Sequence, residues 1–271
     1  MVTDALRSMR CRKEHQRGIK KVTSGQLNAR HWLGGEWVDS KERLDSINPA
    51  TGETIGTYAN GGEAEATKAI AIAKQAFLDT DWRENRRLRA KAINEMAARF
   101  EARMDDLVDI LALENGKIVG EARFEVAMAA PKLRFYAALA LTEFGRAIQT
   151  EPGHYSTVYR EAMGVAGIIA PWNSPIVLFI RSLAPALASG CTVVGKLPGW
   201  TAQTNARMCE LFAEVKSLPG GRAQRLLRIT WQWRACDRRF TGRSRDQLYG
   251  QFAHRSGDVG VGRQESEAVR T

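Results

Sequence analysis

Two polar side chains, Asn173 and Lys196, follow apolar runs that have the length of buried β-strands. The first run, 164–170, leads into the sequence PWNSP, and the second, 191–195, ends at Lys196. An amide can donate and accept hydrogen bonds, and an ammonium group carries a positive charge and three donors. Ligands of parallel sheets bind at the carboxyl ends of the strands. Asn173 and Lys196 are therefore candidates for one binding site.

The elements that must position these residues form a strand–helix–strand–helix unit over 164–215. Both strands are apolar throughout, which is typical of parallel strands covered on both faces. The first helix begins at Pro175 and ends at Gly190, the arrangement that helix termini favour. The second helix covers 201–215. The unit predicts an α/β protein with a parallel sheet.

A hairpin and a helical segment are predicted ahead of this unit. Residues 31–40 alternate aromatic and polar residues around a Gly-Gly turn, which indicates a hairpin. Helix begins near Glu63, and further helical blocks cover 84–113 and 121–144. Pro131 predicts that the last block kinks or divides there. The apolar positions expected in the first helix are Ala66, Ile70, Ala73 and Phe77.

Charge divides the chain into three parts. Residues 1–30 hold eight Lys and Arg against two acidic residues, and residues 222–271 hold eleven Arg against five acidic residues. Residues 31–221 are nearly neutral, although the whole chain carries a net charge of +10. We expect a disordered basic leader at 1–30, a globular part at 31–221 and a disordered Arg-rich tail at 222–271. The uncharged run 162–180 is interrupted by prolines, so we expect a strand–turn–helix and no membrane span.

The cysteines carry no sign of a metal site or of a disulfide framework. The four of them are widely spaced, without a C-x-x-C pair or a nearby His cluster, which fits a reducing cytoplasm. Cys191 lies in a predicted buried strand and Cys209 in an amphipathic helix, so both are expected to be packing thiols. Asn173 could also be a simple turn former between two prolines, and Lys196 a solvated charge.

Five motifs in register resemble the aldehyde dehydrogenase superfamily over about residues 31–221. They are GGEWVDS, INPATGE, ENGK at the end of a helix, APWNSP and ASGCTVVGK. The resemblance implies the N-terminal part of a cofactor-binding domain, with an incomplete Rossmann-like sheet and an N-terminal helical segment. It implies NAD or NADP as cofactor and oxidation of an aldehyde to a carboxylic acid through a cysteine thiolate and a Glu-activated water. It also implies a homo-oligomer.

The resemblance assigns roles to individual residues. Asn173 matches the family Asn whose amide stabilises the developing oxyanion. Ile169, Ala170, Pro171 and Trp172 would line the nicotinamide side. Lys196 matches the family Lys that bonds the adenosine ribose hydroxyls.

Two departures from the family pattern predict an impaired protein. Leu197 and Gly199 stand where the family has Pro and, in some members, a ribose-binding acid, so we expect weakened cofactor binding. After residue 221 the nucleophilic Cys, the Glu base and the oligomerisation segment of the family have no match. The chain is therefore predicted to be a truncated, inactive form.

The Arg-rich tail suggests a shifted reading frame. One choice of codons for RAQRLLR, read one base later, encodes Val-Leu-Asn-Val-Phe-Ser, which is the continuation that the family has after Leu-Pro-Gly-Gly. We expect the shortened sheet to expose an apolar strand edge.

Two further hypotheses compete with the enzyme hypothesis. The chain could be a non-catalytic remnant or an interaction protein. It could also bind nucleic acid through the tail, where Arg side chains would contact phosphates and Trp231 and Trp233 would stack on bases. No nucleic-acid-binding motif supports that reading, so nucleic acid is the less favoured partner.

Overall fold

A computed structural model describes residues 27–218 and the backbone of the strand 227–231. Its strands are β1 (Leu27–Ala29), β2 (His31–Leu33), β3 (Glu36–Val38), β4 (Glu42–Ile47), β5 (Thr54–Asn60), β6 (Arg146–Glu151), β7 (His154–Val158), β8 (Val165–Ile169), β9 (Thr192–Leu197) and β10 (Leu227–Trp231). Its α-helices are α1 (Glu63–Asp79), α2 (Arg86–Ala102), α3 (Met104–Asn115), α4 (Val119–Ala127), α5 (Ala129–Thr142), α6 (Pro175–Ala188) and α7 (Ala202–Ala213). Two short 3₁₀ turns cover Asp81–Arg83 and Gly199–Thr201.

A five-stranded sheet in the order β3-β2-β10-β9-β8 carries the candidate residues. Strands β8, β9 and β10 are parallel, and β2 pairs antiparallel with β10. The predicted order strand, helix, strand, helix is confirmed by β8, α6, β9 and α7. The prediction of an α/β fold is therefore confirmed.

Strand β10 lies inside the segment 222–271, which we expected to be disordered. It covers one edge of β9, whose other edge is covered by β8. The exposed edge that we expected is therefore not found at β9, because backbone of the tail supplies the missing hydrogen bonds. The rest of the tail and the basic leader up to residue 26 lie outside the described residues. The chain divides after Ala235 into two units, and the second of them lies outside as well.

Helices α6 and α7 bury apolar faces in the common core. Pro175 occupies the first turn of α6, and Gly190 follows the helix with a φ of 97°. Strand β9 is largely buried, but Gly167 and Ile169 of β8 are exposed. The expectation of strands covered on both faces is thus wrong for β8, because Gly167 and Ile169, which share one face, are exposed, whereas Ile168 on the other face is buried.

The helical segment differs from the sequence-based expectation in its breaks. The block 84–113 divides at Arg103, and the block 121–144 divides at Met128. Pro131 falls in the first turn of α5, where its missing N–H leaves no intrahelical bond unmade. In α1 the helix buries its small side chains and leaves Ile70 38% exposed. The buried positions of α1 are Ala66, Ala69, Ala73 and Ala76.

Two smaller β structures complete the described part. The hairpin β2–β3 turns at Gly34 and Gly35, both at positive φ, which confirms the predicted Gly-Gly turn. Strands β1, β5 and β4 form a three-stranded sheet, and β6 pairs with β7 in a hairpin whose side chains are exposed. Within the described residues, no helix is long and apolar enough to span a membrane.

Candidate functional site

The register of β8 and β9 brings the candidate residues to one edge of the sheet. Ile169 is paired with Lys196, and the N–H of Ala170 donates to the carbonyl of Lys196 at 3.2 Å. The loop that carries Pro171, Trp172 and Asn173 therefore leaves the sheet directly beside Lys196. The prediction that the two strand ends lie together is confirmed.

Asn173 is exposed, as are Pro171 and Trp172 of the same loop. Within residues 27–218 its side chain makes no hydrogen bond. A turn former would be expected to bond its own backbone, so the amide is available to a ligand.

Side chains from the α3–α4 connection hold the residues on both sides of Asn173. The amide nitrogen of Asn115 donates to the carbonyl of Trp172 at 2.9 Å. The ammonium of Lys117 donates to the hydroxyl of Ser174 at 3.2 Å. The loop is therefore fixed at two points, one before Asn173 and one after it.

A buried carboxylate from α4 caps the helix that follows Asn173. One oxygen of Glu125 accepts from the N–H groups of Ile176, at 2.9 Å, and Val177, at 3.3 Å. The other oxygen forms an ion pair with Lys117. The first N–H groups of a helix lack intrahelical partners and carry partial positive charge. Glu125 therefore satisfies the N-terminus of α6 and holds Lys117 near the loop.

A second buried carboxylate caps α7 in the same way. Glu114 accepts from the N–H groups of Gln203, at 2.9 Å, and Thr204, at 2.8 Å. It also accepts from the hydroxyls of Ser46 and Thr204. Burial raises the pKa of Glu114 above its ordinary value, and the four hydrogen bonds oppose that rise. Glu114 thus joins α3, β4 and α7.

Two tryptophans form an exposed aromatic pair beside the strand ends. The ring centroids of Trp172 and Trp200 lie 6.0 Å apart, and the exposed fractions of the residues are 53% and 70%. Asn205 holds the turn that carries Trp200, because its amide donates to the Pro198 carbonyl and to the Thr201 hydroxyl. The pair lies beside the carboxyl ends of β8 and β9.

The residues around Lys196 fit a nucleotide only in part. Lys196 is half-buried at the strand end, where its ammonium could bond ribose hydroxyls. Leu197 and Gly199 are buried and bring no carboxylate to the loop. A cation and an aromatic pair are present, and an acidic ribose ligand is absent from residues 197–200.

The cysteines of the described part belong to the core. Cys191 and Cys209 are free thiols, and both are buried. Burial raises the pKa of Cys209 well above its ordinary value, so its thiolate is strongly disfavoured. The expectation that both are packing thiols agrees with this placement. Residues 27–218 contain no cluster of three or more His, Cys, Asp or Glu that could hold a metal ion.

Four residues of the site were missed by the sequence reasoning, which treated the ENGK motif only as a helix end and a family marker. A signal for Glu125 was present, because it lies at helical spacing among the apolar residues Ala122 and Val126. A charged residue on the buried face of a helix needs a partner. The missed residues are Glu114, Asn115, Lys117 and Glu125.

Comparison with known proteins agrees with this architecture. The chain matches the aldehyde dehydrogenase family over residues 37–227, and it belongs to that family. It is 36% identical to the mitochondrial succinate-semialdehyde dehydrogenase of Arabidopsis thaliana, over 74% of this chain and 38% of that protein. It is 34% identical to the betaine aldehyde dehydrogenase of Bacillus subtilis, over 72% of this chain and 40% of that protein.

The fold is that of the family. A crystal structure of betaine aldehyde dehydrogenase from Staphylococcus aureus, in complex with NAD⁺, superposes with a TM-score of 0.70 at 31% identity. The alignment covers 76% of this chain and 41% of that one. The chain spans about two fifths of the length of the curated relatives that it matches.

Proposed function

We propose that this chain provides the cofactor side and the oxyanion donor of an NAD(P)⁺-dependent aldehyde dehydrogenase. The observation that carries the proposal is the placement of Asn173 and Lys196 at the carboxyl ends of the paired strands β8 and β9. Relatives act on semialdehydes and on betaine aldehyde, and one similar structure contains NAD⁺. The substrate class follows from the family, and we propose an aldehyde.

Each residue of the site has a proposed task. The amide of Asn173 donates to the oxygen of the aldehyde as negative charge develops there. A donor of this kind typically contributes about 3 kcal/mol to transition-state stabilisation. Lys196 binds the ribose hydroxyls of the cofactor, and the backbone of Ile169, Ala170 and Pro171, with Trp172, borders the nicotinamide. When bound, NAD(P)⁺ would supply the hydride acceptor for this oxidation.

We also propose that this polypeptide alone does not turn over aldehydes. None of its four cysteines stands in a motif of the family nucleophile, and Cys191 and Cys209 are buried core residues. An oxyanion donor without a nucleophile has no tetrahedral adduct to stabilise. The free thiols fit a cytoplasmic location, which we propose as well.

Cofactor binding tests the first proposal. Titration of the purified chain with NAD⁺ and NADP⁺, followed by tryptophan fluorescence, should give saturable binding. Lys196→Met should weaken it about tenfold, which corresponds to 1.4 kcal/mol. Lys68→Met, on the exposed face of α1, is the matched control and should leave the affinity unchanged. Absence of binding by the unmodified chain would refute the cofactor role.

Aldehyde oxidation tests the second proposal. The purified chain, supplied with a panel of aldehydes and either cofactor, should form no NAD(P)H above the rate without protein. Formation of NAD(P)H that disappears in Asn173→Ala would show that the chain is an active enzyme and that our inactivity proposal is wrong.

The origin of the Arg-rich tail has a direct test. We propose that the segment after Gly221 is read in a shifted frame, because its composition changes abruptly there. The family match ends at residue 227, within this segment. Sequencing the coding region for 219–228 decides the question, because a sequence that no single-base shift returns to the family frame contradicts it.

A second candidate function is that of a non-catalytic interaction protein. Exposed large apolar side chains on α5, the β6–β7 hairpin and the adjoining segments favour it. They include Phe135, Phe144, Ile148, Tyr155, Val158 and Tyr159. Light scattering over a range of concentrations would support this candidate if the chain self-associates without binding cofactor.

A further inference from the structure

The loop that carries Asn173 is held on both sides by residues of the short α3–α4 connection. Asn115 ends α3, and Lys117 lies before α4. Asn115 bonds the carbonyl of Trp172, and Lys117 bonds the hydroxyl of Ser174. The two contacts therefore bracket Asn173 between its direct neighbours.

Ser174 has an unusual partner for its position. It is the N-cap residue of α6, where a serine hydroxyl normally accepts from a helix N–H. No such side-chain bond is made, and the hydroxyl accepts from Lys117. Glu125 takes over the capping function through Ile176 and Val177. The serine is thereby free to tie the loop to the α3–α4 connection.

The ammonium of Lys117 is itself held in place. Its side chain is 17% exposed and pairs with Glu125, which is 4% exposed. A paired charge of low exposure keeps one orientation, because leaving the pair would strand a carboxylate away from water. The bond to Ser174 therefore comes from a fixed group.

Gly116 lies between the two residues that hold the loop. It has a φ of 76° and ends α3 in the left-handed conformation. A Cβ built there would lie 2.8 Å from Cγ of Pro49. The backbone between Asn115 and Lys117 is thus confined by packing, and the two side chains contact the residues directly before and after Asn173.

We propose that Asn115 and Lys117 are positioning residues that fix the loop backbone from which the Asn173 amide projects. The inference rests on the proposed function for its meaning, since Asn173 is the proposed oxyanion donor. A preorganised donor avoids reorganisation when charge develops, and this is the physical benefit of fixing it. Neither contact is needed to cap α6, because Glu125 satisfies the helix N–H groups without them.

The test measures the order of Asn173 directly and requires neither cofactor nor turnover. The chain is labelled with ¹⁵N-asparagine, and the Asn173 signals are assigned by their absence in Asn173→Asp. Relaxation is then measured for the Asn173 backbone and side-chain amides. In the unmodified chain we expect a backbone order parameter of about 0.85, falling below about 0.6 when the loop is released.

Three variants release the loop in different ways. Asn115→Ala, Lys117→Met and Ser174→Ala should each lower the order parameter of Asn173. Lys117→Met combined with Ser174→Ala should lower it no further than either change alone, since both remove one bond. Lys117→Arg keeps a positive charge with hydrogen-bond donors, so the order parameter of Asn173 should stay near that of the unmodified chain. The controls Asn94→Ala and Lys68→Met, at exposed positions of α2 and α1, should leave it unchanged.

The outcomes separate this proposal from the proposed function. If Asn173 remains as ordered in Asn115→Ala and Ser174→Ala as in the unmodified chain, the positioning proposal is wrong. It is also wrong if the controls lower the order equally. If Lys117→Met does not fold, the other two variants decide. Fluorescence titration of the same samples with NAD⁺ tests the cofactor role independently, so either proposal can fail alone.

Discussion

The β8–α6 and β9–α7 units share one design but differ at the start of the helix. In each unit a buried carboxylate from the helical segment accepts the first helix N–H groups. Glu125 has the cation Lys117 as its partner and lies under an exposed loop. Glu114 is surrounded by hydroxyl and N–H donors alone.

The difference indicates a separate role for each of the two carboxylates. The α7 unit uses its carboxylate to join three elements, and the bonds of Glu114 end within the core. The α6 unit continues from Glu125 through Lys117 to Ser174, next to Asn173. The same capping device thus serves stability in one unit and extends to the candidate site in the other.

Removing the two carboxylates should produce the largest effects. Glu125→Ala leaves the low-exposure charge of Lys117 unpaired and should lower the free energy of unfolding by about 4 kcal/mol. Glu114→Ala leaves four donors unpaired and should cost about 3 kcal/mol. Urea unfolding measures both, with Glu161→Ala at an exposed position as the control. If Glu114→Ala were as stable as the unmodified chain, Glu114 would not stabilise the α7 unit, and the contrast drawn between the two units would be wrong.

Gly116→Ala should have a smaller effect that falls on the α6 unit. Alanine would have to adopt a positive φ and would meet Pro49, so we expect a loss of about 2 kcal/mol. Gly120→Ala is the control, because a Cβ there has open space. The Asn173 loop should lose order in the first variant only, and an unaltered loop would show that Gly116 does not set the geometry.

The pH dependence should distinguish Glu114 from an ordinary carboxylate. Because its pKa is raised in the folded state, its contribution is fully present below the unfolded pKa and is lost as pH rises through the folded pKa. The destabilisation caused by Glu114→Gln should therefore shrink as pH rises above the ordinary Glu range. Urea unfolding of the unmodified chain and of Glu114→Gln over a pH series measures this difference in the free energy of unfolding. A difference that grows with pH would contradict a raised pKa for Glu114.

The titration of His31 also makes stability depend on pH, but its effect is the same in both proteins and cancels when they are compared. Burial lowers the pKa of His31 to about 4 from 6.5, so the unfolded state takes up its proton first as pH falls. Both proteins should lose the same stability between these values, which amounts to about 3 kcal/mol for an isolated shift of this size. The difference between the two proteins therefore reports Glu114.

Trp200→Ala should have the smallest effect on stability. Its ring is 70% exposed, so truncation should change the free energy of unfolding by less than about 0.5 kcal/mol. The change in fluorescence on cofactor addition should nevertheless decrease, since the ring stands beside the strand ends. Trp37→Phe, on the outer hairpin, is the control for loss of one tryptophan. A cofactor signal unaffected by Trp200→Ala would place the cofactor away from this aromatic pair.

The local patterns of the sequence predicted much of the fold. Pro175 and Gly190 marked the ends of α6, and the apolar runs marked β8 and β9, because these signals act over a few residues. The break at Arg103 was not predicted, because that helix end depends on how neighbouring helices pack. The break predicted at Pro131 lies three residues earlier, at Met128, since a proline is tolerated in the first turn of the helix that follows.

The candidate site divides in the same way. Asn173 and Lys196 could be found from the sequence because each polar residue follows an apolar strand. Asn115 and Lys117 could not, since their partners are 57 residues away along the chain. Nothing in a linear pattern gives the direction of a side chain across such a separation.

By itself, the sequence determined the strand–helix order, the family and the identity of the candidate oxyanion donor. The tertiary structure decided which buried carboxylates cap α6 and α7 and how the Asn173 loop is held. The physical reason is range: turn chemistry and hydrophobic periodicity are local, whereas burying a carboxylate is tolerable only when distant parts of the chain deliver donors to it.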